Sequence, residues 1–258
     1  VQDEPTAPLL VLPPTRPPAD IDNHFNYRYS PEHELYAGGR KTKFKANVEA
    51  IRTLFALEQQ NRAATPTEQI ILAGYVGWGG LADALTEGKS GWETEYATIK
   101  ALLDEDEFAS AVESTTTAYY TEQHIVDAMY QGLARLGFKH GNILDPAMGT
   151  GNFYSVIPED MSNGSRLYGV ELDSISGRIA RKLYPGAEIH IKGFEDTEFS
   201  DNFFDAAVGN VPFNSFTVSD RRYNKYHFRI QEYFFAKTLD KVRPGGVVAF
   251  ITSKYMLD

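Results

Sequence analysis

Asn210-Val211-Pro212-Phe213 combines residue types that can hold a planar amino group. It follows Phe204-Asp205-Ala206-Ala207-Val208-Gly209, a mostly apolar run that is typical of a buried strand. The side-chain oxygen of Asn210 and the backbone carbonyl of Val211 can both accept hydrogen bonds from one NH2 group. The ring of Phe213 can stack on the heterocycle that carries this group. Four residues alone are a weak signal, so the interpretation depends on whether the chain also provides a site for a methyl donor.

A second segment with binding chemistry follows the short strand predicted at Asn142–Leu144. It reads Asp145-Pro146-Ala147-Met148-Gly149-Thr150-Gly151-Asn152-Phe153. Gly149 and Gly151 would let the backbone approach a ligand closely, and the carboxylate of Asp145 could accept a ligand's ammonium group. A Gly-x-Gly pattern is also compatible with an ordinary strand–helix turn.

Glu171 makes the ligand interpretation stronger. It lies about 20 residues further on, at the end of a second predicted strand, where a carboxylate can accept hydrogen bonds from both hydroxyls of a ribose. The alternative is an ordinary solvated strand end, but the spacing favours the ribose role.

A run of basic residues follows the Asn-Val-Pro-Phe segment, with Tyr223 and Tyr226 between its members. It contains Arg221, Arg222, Lys225, His227 and Arg229, and no acidic residue interrupts it. Cations alternating with aromatic rings suit the phosphates and bases of a nucleic acid. An ordinary solvated loop is the alternative, and the position beside Asn210 favours contact with DNA.

These segments require a scaffold in which strands and helices alternate. The pattern predicts strands at Asn142–Leu144, Leu167–Val170, Ile189–Ile191, Phe204–Val208 and Val247–Thr252, with helices at Ser174–Leu183 and Ile230–Val242. Pro244-Gly245-Gly246 is expected to form a tight turn before the fifth strand. Such alternation indicates an α/β fold with a doubly wound, mostly parallel sheet.

The residues before this sheet are expected to be helical. Helices are predicted from Thr42 to about Asn61, from Pro66 with Thr65 as its N-cap, from Glu93 to Phe108, and from about Ile125 to Leu136. We therefore expect a Pro-rich mobile arm at 1–20, a helical region at 21–113 and the α/β core at 114–258. Because such a sheet usually continues, the core is expected to be incomplete at its C-terminal end.

Composition excludes several classes of protein. The 258 residues contain no cysteine, which excludes disulfides and thiolate chemistry, and they contain no apolar run long enough to cross a membrane. The six histidines show no metal-ligand spacing. This composition fits a cytoplasmic protein. The net charge of −10 argues against nonspecific binding of polyanions by the whole surface but leaves room for a local basic face.

The combination of these motifs resembles the S-adenosylmethionine-dependent DNA adenine-N6 methyltransferases. Leu144–Phe153, Val170–Asp173 and Gly209–Phe213 occur in the order of the family's gamma arrangement, preceded by Tyr120-Thr121. The helical region, through Ala46–Arg52, Thr65–Gln69 and Tyr75–Leu81, resembles the opening of large methyltransferase–helicase proteins of plasmids, phages and conjugative elements. The resemblance implies a Rossmann-like methyltransferase fold and further domains of a longer polypeptide, such as target recognition and a helicase.

The resemblance also implies a role for each matching position. Tyr120 and Thr121 would contact the methionine part of the cofactor, Asp145 to Phe153 would wrap around it, and Glu171 would hold its ribose. Leu172 and Asp173 would flank the cofactor's adenine. Asn210 and the carbonyl of Val211 would grip N6 of the target adenine, Phe213 would stack on the flipped base, and Arg221, Arg222, Lys225 and Arg229 would contact DNA.

Two positions depart from the family pattern. Val211 occupies the place of the usual first proline, which removes a fixed φ and adds an N–H group. After the third strand many relatives have an acidic residue that meets the cofactor's adenine amine, whereas this chain has Phe194, then Glu195 and Asp196. Either an acid substitutes or Phe194 packs against the adenine.

Two other functions remain as alternatives. One is methylation of a glutamine amide in a protein, because such enzymes share an Asn-Pro-Pro-aromatic element. The other is a methyltransferase-like module that binds cofactor or DNA without transferring a methyl group. The basic run favours nucleic acid over a protein amide.

Overall fold

The computed structural model describes residues 23, 25–33, 35, 37–115, 121–213 and 217–256. The predicted arm at 1–20 and Tyr120 lie outside the described residues. The strands are β1 (Asn142–Asp145), β2 (Arg166–Glu171), β3 (Glu188–Ile191), β4 (Phe204–Asn210) and β5 (Val242–Ile251). The helices are α1 (Arg40–Gln59), α2 (Pro66–Ala73), α3 (Glu93–Leu102), α4 (Glu105–Ser114), α5 (Gln123–Arg135), α6 (Asn152–Ser155), α7 (Glu159–Asn163), α8 (Ser174–Leu183) and α9 (Ile230–Lys241).

The five strands form one parallel sheet in the order β3-β2-β1-β4-β5. The chain progresses outward from β1 to β3 and then returns to the other side of β1 for β4. The switch point of this order therefore lies between β1 and β4, which pair through Ile143 with Ala206 and Leu144 with Ala207. In open sheets of this kind, ligands bind beyond the carboxyl ends of the strands at the switch point. The predicted Rossmann-like α/β fold is confirmed.

The helical region differs from the prediction at one place. The helix expected over Glu93–Phe108 is two helices, α3 and α4, because Asp104 caps the second one. Its carboxylate accepts the N–H of Glu107 at 2.8 Å, and the Glu107 carboxylate accepts the N–H of Asp104 at 3.2 Å. This reciprocal capping box satisfies two N–H groups that a helix start otherwise leaves unpaired. The capping box predicted at Thr65 and Glu68 is confirmed.

The start of the fifth strand also differs from the prediction. Val242 already pairs with Phe204, and the next matched pair is Ala206 with Val247. Pro244-Gly245-Gly246 is therefore a bulge inside β5, with Gly245 at φ 77°, and not a turn that precedes the strand. Helix α9 accordingly ends at Lys241, one residue before the predicted end.

The helical region and the sheet share one hydrophobic core. A continuous cluster of buried side chains includes Ile51 and Leu54 of α1, Ile179 and Leu183 of α8, and Ile143 of β1. A charged contact supports this packing, since Arg178 of α8 pairs with Glu58 of α1 and Glu107 of α4. No helix of the described residues is long and apolar enough to span a membrane. The division of the chain at residue 113 stays a prediction.

Candidate active site

The carboxyl ends of β1 and β4 place Asp145 beside the segment that begins with Asn210. Asp145 ends β1 and is 1% exposed. A Cβ atom added to Gly209 would lie 2.6 Å from its Oδ1, which shows how closely the carboxylate approaches β4. Asn210, the next residue, ends β4 and is half-buried. The two motifs identified in the sequence, 65 positions apart, therefore meet at the switch point of the sheet.

Val211 is held by the sheet rather than by a proline ring. Its side chain is 1% exposed and belongs to a cluster that includes Tyr223 and Phe234. The N–H group that valine adds donates to the carbonyl of Ile251 at a long 3.4 Å, which continues the pairing of β4 with β5. Phe213 is 41% exposed, so its ring has a free face at the same edge.

Glu171 shapes the wall on the other side of β1. Its two carboxylate oxygens accept the backbone N–H groups of Gly149 at 2.7 Å and Asp173 at 2.8 Å. The loop after β1 is thereby tied to the end of β2, and the N–H of Met148 adds a hydrogen bond to the carbonyl of Val170 at 2.9 Å. A carboxylate has four lone-pair directions, so Glu171 retains acceptor capacity for hydroxyl groups of a ligand.

The two acids of this crevice have raised pKa values. Burial raises the pKa of Asp145 to about 8; the N–H of Ala147 opposes the shift and the charge of Glu171 adds to it. Burial also raises the pKa of Glu171 to about 7, with a contribution from Asp173, against hydrogen bonds from backbone N–H groups. Within the described residues no cationic side chain pairs with Asp145. A buried carboxylate without a cation suits a ligand that brings its own ammonium group.

The two glycines of the loop after β1 have different structural roles. Gly149 adopts φ +57° and has open space where a side chain would be, so its backbone is accessible to a ligand. Gly151 adopts φ +88°, and an added Cβ would lie 2.3 Å from the ring of Tyr184. Glycine is needed at 151 because a side chain there would collide with Tyr184, the residue after α8. Glycine at 149 leaves the backbone open to a ligand.

The rest of the loop is fixed by contacts with α5 and its preceding residue. Asn152 donates to the carbonyl of Thr121 at 2.6 Å and accepts from Gln123 at 2.5 Å. The carbonyl of Phe153 accepts the hydroxyl of Tyr130 at 3.1 Å, and the Phe153 ring is buried. The structure thus brings Thr121 to the loop, and Tyr120 lies outside the described residues. Pro146 is buried and Ala147 is partly buried, and both lie directly after Asp145.

The residues expected near the cofactor's adenine have separate environments. Leu172 is 71% exposed at the sheet edge, which leaves its side chain available to a flat ligand. Both oxygens of Asp173 are engaged, by the N–H of Ser176 at 2.8 Å and the hydroxyl of Ser110 at 3.0 Å.

Phe194 and Glu195 lie just beyond β3. The ring of Phe194 is 2% exposed and packs on Phe234 with ring centroids 5.2 Å apart. Glu195 covers Gly193, where an added Cβ would lie 2.4 Å from its Oε1. The structure therefore assigns the Phe194 ring to the core beside α9 and not to an exposed surface that an adenine could cover.

The basic run is partly neutralised by acids from other parts of the chain. Arg222 pairs with Asp201 and Asp240, each at 2.8 Å, although no acid is close to it in the run itself. Arg221 is exposed and makes no ion pair within the described part of the chain. Lys225 lies 4.8 Å from the ring of Tyr226.

The position of Arg229 is set by α9. It is the N-cap of that helix and donates its N–H to Glu232 at 2.8 Å. The exposed ring of Tyr226 stacks on Phe228 at 5.1 Å. Arg221 and Lys225 are therefore available to phosphates, whereas Arg222 has protein partners.

Several polar contacts around the crevice were not expected from the sequence. Ser110 on α4 bonds Asp173, and Gln123 on α5 bonds Asn152, although both lie outside the helices predicted from the sequence. Lys237 on α9 is 3% exposed and bonds the segments after β3 and β4. A lysine on the apolar side of a helix is the signal that could have identified the last of these.

Comparisons with known proteins identify the family of the chain. A family model described as N-6 DNA methylase matches residues 102–257, which is more than half of the chain. The Defense against restriction protein B of Escherichia phage P1 is 29% identical over 212 residues, which cover 80% of this chain and 8% of that protein. The Type II methyltransferase M.CvrRI of Paramecium bursaria Chlorella virus XZ-6E is 35% identical over 95 residues, covering 37% of this chain and 24% of that protein.

Solved structures give a weaker similarity. The type I restriction-modification system methyltransferase subunit from Streptococcus thermophilus has a TM-score of 0.44 and 14% identity, with 83% of this chain and 68% of that chain covered. The chain spans about a quarter or less of the length of the two curated relatives that it matches.

Proposed function

Because the chain belongs to the N-6 DNA methylase family, we propose that it transfers a methyl group from S-adenosylmethionine to the N6 amine of adenine in DNA. The observation that carries this proposal is the meeting of Asp145 and Asn210 at one switch point, with the Asp145 carboxylate against Gly209. One crevice then holds both a donor site and an amino-group acceptor site. Direct transfer between two bound substrates requires this adjacency.

The donor side of the crevice is built from the β1 loop and the end of β2. Asp145 binds the ammonium of the cofactor, Glu171 binds its ribose hydroxyls, and Leu172 covers its adenine. The cofactor supplies a methyl group on a positively charged sulfur, which makes that carbon an electrophile. The raised pKa values of Asp145 and Glu171 support this assignment, because Asp145 is buried, Glu171 is partly buried, and neither has a cationic partner in the described residues.

The acceptor side is the segment after β4. Asn210 Oδ1 and the carbonyl of Val211 accept the two hydrogens of the adenine amine, while Phe213 stacks on the base. This arrangement directs the nitrogen lone pair at the methyl carbon. The N–C bond forms as the S–C bond breaks, and the extra proton on N6 leaves to water. Positioning and electrostatics provide the rate acceleration, without a covalent enzyme intermediate.

DNA reaches this edge past the segment 217–229. Arg221 and Lys225 contact phosphates, and the stacked pair Tyr226 and Phe228 offers a platform for bases. A target in duplex DNA must be turned out of the helix, which costs a few kcal/mol. We further propose that this chain is one part of a longer polypeptide, since its match to the phage relative covers 8% of that protein.

The division of roles between the two sides can be tested with Asn210→Ala. Methyl incorporation into DNA should fall by about 100-fold or more, because the amine is no longer oriented. Affinity for S-adenosylhomocysteine, measured by calorimetry, should stay within about 2-fold, because Asn210 contacts only the target.

Asn163→Ala is the matched control, since Asn163 is an exposed asparagine on α7. It should leave both quantities unchanged. A large loss of cofactor affinity in Asn210→Ala would contradict the assignment. Methylation of a glutamine-containing peptide in place of DNA would support the protein-glutamine alternative instead.

A further inference from the structure

Lys237 joins two separate segments at the carboxyl edge of the sheet. Its side chain is 4% exposed, in the middle of α9. The ammonium donates to the carbonyls of Phe194 at 2.7 Å and Glu195 at 3.0 Å, and to Asp220 Oδ2 at 3.0 Å. A longer contact reaches the carbonyl of Thr197 at 3.5 Å, so the three N–H donors of the ammonium have four acceptors around them.

The first of these segments is the turn Phe194–Asp196, which follows β3. Lys192, two residues before this turn, lies beside the end of β2, because its N–H donates to the carbonyl of Glu171 at 2.9 Å. The turn therefore begins two residues beyond the donor side of the crevice.

The second segment is the turn 220–224, which begins with Asp220 directly before the basic run. Asp220 organises it, since its carbonyl accepts the N–H groups of Tyr223 at 2.9 Å and Asn224 at 2.8 Å. Asp220 Oδ1 accepts the N–H of Arg222 at 3.0 Å, and Oδ2 accepts the hydroxyl of Tyr233 at 2.7 Å. The position of Asp220 therefore fixes the turn that carries Arg221 and Arg222.

The choice of lysine at this position is informative. A buried ion pair is often no more stabilising than apolar side chains of similar volume, whereas its directional hydrogen bonds specify one arrangement. Lys237 also donates to the backbone carbonyls of Phe194 and Glu195. A movement of the backbone of the Phe194–Asp196 turn, and not only of one side chain, therefore changes its hydrogen bonds.

We propose that Lys237 is a positioning residue that couples the donor side of the crevice to the DNA side. When the cofactor binds next to the Phe194–Asp196 turn, it restricts the movement of that turn. The Lys237 ammonium, which is bonded to the turn, then holds Asp220 in one position, and the turn 220–224 becomes ordered. DNA then binds to a turn that is ordered only when S-adenosylmethionine is bound. This coupling rests on the proposed function, because it requires a cofactor at Glu171.

Hydrogen–deuterium exchange with and without S-adenosylhomocysteine tests the coupling without requiring activity. In the wild type, the ligand should slow exchange in the loop 147–151 and also at the amides of Tyr223 and Asn224, by about 5-fold or more. In Lys237→Met, loop 147–151 should remain protected, while the change at Tyr223 and Asn224 should fall below about 2-fold.

Lys241→Met is the matched control on the same helix. Lys241 is also buried and pairs with Asp201 at 2.8 Å, but it contacts neither turn. It should behave as the wild type. Asp220→Asn is a second variant, because it removes the negative charge that faces the Lys237 ammonium and so weakens the same link from the other side. It should reproduce the loss seen in Lys237→Met even if the latter folds poorly.

Three outcomes overturn the coupling. In the first, S-adenosylhomocysteine slows exchange in loop 147–151 of the wild type but not at Tyr223 and Asn224, so the two sides are not coupled. In the second, the ligand still fully protects the turn 220–224 in both Lys237→Met and Asp220→Asn, so a contact other than that of Lys237 with Asp220 couples the two sides. If S-adenosylhomocysteine protects no segment of the wild type, the cofactor assignment is wrong and the coupling fails with it.

Discussion

Asp145 and Asp205 are two buried aspartates whose replacement by asparagine should change stability in opposite directions. Both are 1% exposed. Asp205 lies near the start of β4 and pairs with Arg243 at 2.5 Å, and its other oxygen accepts the N–H of Asn142 at 2.8 Å. Asp145 lies at the opposite edge and has no cationic partner among the described residues, because its partner is the ligand in our account. Its ionised form should therefore destabilise the ligand-free protein.

The magnitude follows from the pKa of Asp145. Folding raises this pKa from 3.8 to about 8, which is a difference of about 4 units, and each unit corresponds to about 1.36 kcal/mol. The native state then binds more protons than the unfolded state between about pH 4 and pH 8, so the free energy of unfolding falls as the pH rises through this range. The upper limit is about 5 kcal/mol, and water entering the crevice reduces it, so we expect Asp145→Asn to gain about 2 kcal/mol at pH 8.

Urea unfolding followed by circular dichroism at pH 5 and pH 8 measures this effect. Asp145→Asn should be more stable than the wild type at both pH values, by a larger margin at pH 8 than at pH 5, while its affinity for S-adenosylhomocysteine falls by about 10-fold or more. Asp205→Asn should lose about 3 kcal/mol at both pH values, because it leaves Arg243 without its partner. Asp145→Asn that is destabilised as much as Asp205→Asn would show that Asp145 is an ordinary structural carboxylate, and our reasoning would be refuted.

Three further changes test other parts of the site. The affinity for S-adenosylhomocysteine should increase from pH 6 to pH 8, because burial raises the pKa of Glu171 to about 7 and the ligand favours the ionised form; calorimetry showing a constant affinity would contradict this role. Gly151→Ala should lower the thermal midpoint by several degrees in a melting experiment, since its Cβ would meet Tyr184 at 2.3 Å and its φ is +88°. Arg221→Ala should weaken DNA binding and lower its salt dependence by about one unit of slope, whereas Arg222→Ala should mainly reduce stability, because Arg222 pairs with acids of the protein. Equal salt slopes for Arg221→Ala and the wild type would favour an ordinary solvated loop.

The sequence predicted the sheet well because its signals are local. Apolar runs bounded by Gly, Pro and polar residues indicate strands, and Ser174–Leu183 of α8 was predicted at its observed bounds. The position of Asp145, Glu171 and Asn210 at one edge was predictable, because each ends a strand and parallel strands bring their carboxyl ends to one edge.

The two errors in the predicted elements have different causes. Asp104 and Glu107 form a capping box within an apolar pattern that otherwise continues, so one long helix was predicted where two occur. The bulge in β5 depends on Val242 pairing with Phe204, and such a pairing cannot be inferred from Pro244-Gly245-Gly246 alone.

Other features depend on contacts between distant parts of the chain. Asp201 and Asp240 neutralise Arg222 from positions that lie well outside the basic run, so the run looks more cationic in the sequence than in the fold. Lys237 was overlooked for the same reason, because its partners Phe194 and Asp220 come from two loops. Such contacts are set by packing, and no periodicity of the sequence reports them.

The most direct test of methyl transfer to adenine N6 is the identity of the nucleoside that carries the methyl group. The protein is incubated with S-adenosylmethionine labelled on its methyl group and with unmethylated DNA, and the DNA is then digested to nucleosides and separated. Our account predicts that the label elutes with N6-methyl-2′-deoxyadenosine and that Asn210→Ala gives none. Label on a cytosine, or no label in any nucleoside from wild-type protein that binds S-adenosylhomocysteine, would contradict it.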